Sequence, residues 1–76
     1  AKAPQLAQNW NNLAVLYRKK ELLTQAEQVY LYSLRLEPEH TNTMSNLAML
    51  YELTGRAQEA AVLDAKVAKK RLSNPY

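Results

Sequence analysis

Apolar residues recur along this 76-residue chain with a helical period. From Trp10 they fall at Trp10, Leu13, Ala14 and Tyr17, the i, i+3, i+4, i+7 spacing of one helix face. Asn9 stands where an N-cap is wanted. Arg18-Lys19-Lys20-Glu21 closes the stripe with cations that suit the negative end of a helix dipole. A second stripe runs through Ala26, Val29, Tyr30, Ser33 and Leu34. Thr24 is placed to cap it, with Glu27 completing a capping box, and Pro38 stops it by pushing the preceding residue out of helical geometry. Met44, Leu47, Ala48 and Tyr51 make a third stripe, capped by Thr41 or Thr43 and followed by Gly55, where a left-handed residue is wanted. The fourth begins near Ala57 and carries Ala60, Ala61, Leu63, Val67, Ala68 and Leu72 until Ser73-Asn74-Pro75 breaks it. The pattern predicts four helices of roughly 12–16 residues, joined by turns of about 2–4 residues, and hence two antiparallel hairpins.

The pattern also repeats. Asn12-Leu13-Ala14-Val15-Leu16-Tyr17 returns as Asn46-Leu47-Ala48-Met49-Leu50-Tyr51 at an offset of 34, with one apolar exchange. The same offset pairs Ala26 with Ala60 and Trp10 with Met44. A two-helix unit of this length with W-x₂-L-G-x₂-Y, then A-x₃-F, then P is the signature of the tetratricopeptide (TPR) family. The first unit resembles it closely, reading Trp10-x₂-Leu13-Ala14-x₂-Tyr17, Ala26-x₃-Tyr30, Ser33 and Pro38. Ala14 stands for the glycine and Tyr30 for the phenylalanine. The second unit matches at Met44, Leu47, Ala48, Tyr51, Gly55 and Ala60, and departs at Asp64, where an aromatic belongs, and at Leu72, where a proline belongs.

The resemblance covers about residues 7–74. It divides the chain into an N-terminal extension 1–6, units 7–40 and 41–74, and a tail 75–76. It implies an all-α fold in which two antiparallel helix-turn-helix hairpins stack as an α-solenoid, a TPR-like superhelix. Small Ala14, Ala26, Ala48 and Ala60 would lie at the close approaches, with Trp10, Tyr17, Tyr30 and Tyr51 filling the wider gaps. The same stripes suit an antiparallel four-helix bundle, but a bundle does not demand a constant offset. Trp10 is expected to be buried between the helices of its unit, and Asp64 to face solvent or pair with Arg56 or Lys66.

Composition narrows the chemistry. With 47% apolar and 22% charged residues the chain is globular, and one glycine and three prolines are too few for a many-stranded sandwich or barrel. The absence of cysteine removes disulfides and cysteine-based zinc sites. No apolar run approaches the roughly 20 residues of a membrane span, and no signal-peptide pattern opens the chain, which starts at Ala1 and gives no reading of compartment. His40 is the only histidine and Asp64 the only aspartate, so a nucleophile–base–orienter set is not expected. Glu37-Pro38-Glu39-His40 reads as a solvated turn rather than a metal loop. The expectation is a protein without catalysis and without a cofactor.

The family's role is to bind peptides or partner proteins in a concave groove lined by the first helix of each repeat. The resemblance therefore implies groove positions at Gln8, Asn11, Asn12, Val15, Arg18 and Lys19 in the first unit. In the second they are Asn42, Ser45, Asn46, Met49 and Glu52. Asn11, Asn12 and Asn46 stand out, because an amide offers donor and acceptor to an extended backbone; their alternative is ordinary solvated polarity. Some members clamp a chaperone's C-terminal carboxylate, but here only Asn46 matches. Asn11 replaces the lysine, Val15 the first asparagine, and a third repeat is missing.

The charge of +3 arises wholly beyond residue 55, where Arg56, Lys66, Lys69, Lys70 and Arg71 face Glu59 and Asp64. That makes nucleic acid the alternative partner, with Tyr76 as a stacking ring, although these cations also suit a helix C-terminus. Finally, Ala61, Val62, Ala65 and Ala68 form a face that no later repeat covers. Self-association through the last helix, or excision from a longer array, follows.

Overall fold

A computed structural model describes residues 4–73, which form α1 (Pro4–Lys19), α2 (Leu23–Leu36), α3 (Thr41–Leu53) and α4 (Ala57–Ser73). Among the described residues there is no strand. Asn74 and Pro75, expected to break the last helix, and Tyr76 lie outside them.

α4 begins at Ala57, as expected, whereas the first three helices begin earlier than their apolar stripes imply. α1 starts at Pro4, since proline's missing N–H is no loss at a first helical position. Asn9 is therefore inside α1 and accepts a hydrogen bond from Gln5 Nε2 at 3.3 Å instead of capping. The extra turn is anchored by Ala7, which is buried and whose carbonyl accepts a bond from Ser33 Oγ at 2.8 Å. The N-cap of α2 is Leu22, with no side-chain cap bond, so Thr24 lies in the first turn and Glu27 is used elsewhere. The N-cap of α3 is His40; Thr41 is already helical and Thr43 is buried. Pro38 acts as expected, with Glu37 before it in extended geometry and α2 ending at Leu36.

The turns within the two hairpins are the same turn, bond for bond. Glu21 has φ 64° and Gly55, one offset later, has φ 79°. Glu21 N–H donates to Arg18 O at 2.9 Å and Leu22 N–H to Tyr17 O at 2.9 Å. Their equivalents are Gly55 N–H to Glu52 O at 3.2 Å and Arg56 N–H to Tyr51 O at 2.7 Å. This pair of bonds is the Schellman closure, which satisfies the last carbonyls of a helix and needs a left-handed residue. Gly55 meets that need without strain, whereas Glu21 meets it at a cost of about 1 kcal/mol.

α1 packs on α2 and α3 on α4, and the two hairpins meet through α3, which touches both α1 and α2. α1 and α4 do not meet, whereas a closed four-helix bundle would bring them together. The core gathers Ala14, Ala26, Tyr30, Leu47, Ala48, Leu50, Tyr51 and Ala60, with Val15, Tyr17, Leu23, Val29, Leu34 and Leu63 against it. All four alanines expected at close approaches are in that set.

Two expectations of burial fail. Trp10 is only half-buried and sets its ring edge-on to Tyr32, centroids 5.0 Å apart at 80°. Leu72, read as part of the last stripe, is 86% exposed, because α4 packs on α3 and turns in Ala60, Leu63 and Val67; Ala61 and Ala68 are exposed, as the uncovered face implied. Asp64 is exposed, as expected.

Candidate interaction face of α1 and α3

α1 and α3 lie side by side and are joined by side-chain amides. Asn42 Nδ2 donates to Gln8 Oε1 at 3.2 Å, and Gln8 Nε2 donates onward to Asn12 Oδ1 at 2.8 Å. One turn along, Asn46 Nδ2 donates to Asn11 Oδ1 at 3.0 Å. Ala14 on α1 and Ala48 on α3 are both in the buried core. Each rung thus ties α1 to the corresponding part of α3 and fixes their relative register.

The residues expected in the groove divide by exposure. Asn12, Lys19, Asn42, Met49 and Glu52 are exposed; Gln8, Val15, Arg18, Ser45 and Asn46 are half-buried. Asn11 is 3% exposed and spends its carbonyl on Asn46. It is therefore part of the helix–helix contact and is not positioned to meet a peptide backbone. Met49, 52% exposed, is an apolar site in the middle of the face, and the half-buried Val15 holds the same position in α1. Arg18 and Glu52 also share a position and carry opposite charges. The face thus combines amides at one end, apolar surface in the middle and charge at the other.

Beneath it runs a buried relay that the apolar pattern does not announce. Ser33 and Thr43 are fully buried, with hydroxyl oxygens 2.9 Å apart, and Thr43 Oγ1 lies 2.8 Å from His40 Nδ1. Ser33 has one proton, which goes to the Ala7 carbonyl. Thr43 must then donate to Ser33, and His40 Nδ1–H to Thr43. The relay connects α1, α2, α3 and the α2–α3 turn, and it gives His40 a structural role. The offset hides it, because Val67 and Thr41 stand where Ser33 and Ala7 would recur.

On another side, Arg56 joins three elements, through two carboxylates and a ring. Its Nε and Nη2 donate to the two oxygens of Glu59 at 2.7 and 2.8 Å, its Nη1 donates to Glu27 at 2.7 Å, and the guanidinium sits 4.2 Å above the Tyr51 ring. This explains why Glu27 forms no capping box. The Glu59 carboxyl is held below its usual range by the Arg56 hydrogen bonds, and Arg56 is raised above its own, first by Glu59 and then by Glu27. Tyr51 is raised, chiefly by burial and next by the Glu27 charge. Glu39 and Lys70 pair at 2.8 Å between the α2–α3 turn and α4.

No group of three or more histidine, cysteine or acidic residues suited to a metal occurs among the described residues, and none of the described helices is long and apolar enough to cross a membrane. The chain matches no family model, no curated protein and no solved structure.

Proposed function

We propose that this chain is a non-catalytic protein-interaction module of TPR type. In this reading two repeats form a segment of α-solenoid and hold an extended peptide, or a loop of a partner protein, against α1 and α3. The observation that carries it is the Gln8–Asn42 contact: two residues 34 apart in sequence are neighbours in space. That is what a stacked 34-residue repeat requires. The recurring left-handed turn at Glu21 and Gly55 supports the same unit. The exposed Asn12, Asn42, Met49 and Glu52 would make the contacts, with Asn12 and Asn42 meeting backbone amides and Met49 an apolar side chain.

The test is a peptide selected from a random display library on the intact chain, with affinity measured by calorimetry. Met49→Glu and Asn12→Leu are each expected to weaken it about tenfold or more, with the melting temperature little changed. Binding indifferent to both substitutions overturns the assignment of the face.

The exposed Ala61, Val62, Ala65 and Ala68 belong to the same reading. At the 34-residue offset Ala61 and Ala68 answer to the half-buried Glu27 and Leu34, while Val62 and Ala65 answer to Gln28 and Leu31, which stay exposed, so a following repeat would cover the first two and a second copy the wider face. Self-association of the isolated chain would raise the melting temperature over a hundredfold concentration range by mass action; a constant melt at 8.7 kDa excludes it.

One observation favours a second reading: Lys66, Lys69, Lys70 and Arg71 are all exposed on α4. A nucleic-acid partner would show affinity falling steeply and linearly on a log–log plot between about 50 and 200 mM salt.

A further inference from the structure

At the 34-residue offset, Met44 and Lys66 are the equivalents of Trp10 and Tyr32. In the first unit the two rings meet edge to face, joining α1 to α2 with the Tyr32 ring at the surface. In the second unit that place is held by a thioether and a flexible amine. The result is a cleft of about 420 Å³ lined by Pro38, Glu39, Met44, Lys66, Lys69 and Lys70. Its apolar lining is Pro38 and the buried Met44. Across it Lys70 pairs with Glu39 at 2.8 Å, while Lys66 and Lys69 have no ion-pair partner among the described residues.

We propose that this cleft is a second binding site, one that takes an aromatic side chain flanked by carboxylates on an acidic segment of a partner protein. The ring is argued from the first unit, which sets two rings against each other at the equivalent positions. The lining suits it, since a thioether packs well against an aromatic edge and ammonium groups are drawn to a ring face. The carboxylates are argued from charge: three lysines stand against one glutamate, so the lining is net positive and Lys66 and Lys69 can each meet an acid. The volume is that of an ordinary ligand pocket, about 300–1,000 Å³. Nucleic acid fits less well, because no lining residue offers a ring for a base to stack on and Glu39 would face the phosphates. The site lies between α4 and the α2–α3 turn, apart from the amide face of α1 and α3, and does not rest on the reading of that face.

The test is a nuclear magnetic resonance titration of the ¹⁵N-labelled chain with a synthetic peptide holding one tryptophan between two pairs of glutamates. Shifts are expected at Glu39, Met44, Lys66 and Lys69, and not at Asn12 or Asn46. Replacing the peptide's tryptophan by alanine should weaken binding about tenfold. The protein variant Lys66→Gln with Lys69→Gln, which touches only exposed side chains, should weaken it about five- to tenfold without lowering the melting temperature. Met44→Trp with Lys66→Tyr should fill the cleft and abolish binding. The proposal is overturned if no shift appears at the cleft with millimolar peptide, or if the alanine peptide binds equally well. It also fails if the double glutamine variant binds unchanged, or if a single-stranded oligothymidylate engages the same residues more tightly than the peptide.

Discussion

Tyr30→Phe is expected to make the protein more stable. Tyr30 is 0% exposed, and its hydroxyl is buried with no partner in good hydrogen-bond geometry, the Arg18 guanidinium being the one donor near it. A buried polar group left unpaired costs about 1–3 kcal/mol, while removing one oxygen loses only a few dispersion contacts. The net gain should be about 1 kcal/mol, which for a domain of this size moves the melting temperature up by about 4–8 °C. The pH dependence sharpens the test. Burial raises the Tyr30 pKa, with the Arg18 guanidinium pulling the other way, first as a weak hydrogen-bond donor and then by its charge, so the native state holds the phenolic proton more tightly than the unfolded chain. The stability linked to that proton is fully present below about pH 10, the unfolded value, and is lost as pH rises through the higher native value. Tyr51 is raised as well, but it is common to both proteins and cancels in the comparison. Urea unfolding followed by circular dichroism at pH 7 and pH 10.5 should therefore show Tyr30→Phe ahead at both, and by more at the higher pH. A loss of 1 kcal/mol or more at pH 7 would mean that the hydroxyl has a partner and that the reasoning fails.

Ser33→Ala leaves the Ala7 carbonyl and the Thr43 hydroxyl without their partner in a fully buried place, and should cost about 1–3 kcal/mol. Combined with Thr43→Val in a double-mutant cycle, it should show clear non-additivity, whereas additive costs would dissolve the relay. Glu21→Gly should stabilise by about 1 kcal/mol and Gly55→Ala destabilise by a similar amount, since both positions need a left-handed residue and nothing stands near an added Gly55 Cβ. Equal and opposite shifts in urea midpoint support the common turn, and a null effect at either site contradicts it. Asp64→Tyr should be nearly neutral in this chain because Asp64 is exposed; stabilisation above about 2 kcal/mol would reveal an apolar slot there.

Much of this architecture is legible in the residues themselves. The stripes place all four helices, and the offset of 34 pairs Ala14 with Ala48 and Ala26 with Ala60, all of which are in the core. Local signals fail where a distant partner claims the side chain. Glu27 reads as half of a capping box but is held by Arg56, and Thr43 reads as a cap but is taken into the relay with Ser33. The start of α1 is hidden because Gln5, Gln8 and Asn9 carry no apolar stripe, and the residue that bonds the buried Ala7, Ser33, comes from α2. On the candidate face, spacing names the amides that join α1 to α3 but not the depth of each one. The close approach of α1 and α3 buries Asn11 and leaves Asn12 exposed. The cleft beside Met44 has a plain sequence signal, an aromatic pair lost at one offset, which becomes meaningful once Trp10 and Tyr32 are known to touch.

The central claim is that a peptide lies against α1 and α3. Because the chain has no cysteine, a spin label can be attached at a single engineered position. The most direct measurement is relaxation broadening of a display-selected peptide by a label at Asn12→Cys, compared with labels at Gln28→Cys on α2 and Ala65→Cys on α4, all at exposed positions. The account predicts strong broadening from Asn12→Cys and little from the other two. Broadening from Gln28→Cys or Ala65→Cys with none from Asn12→Cys would contradict it.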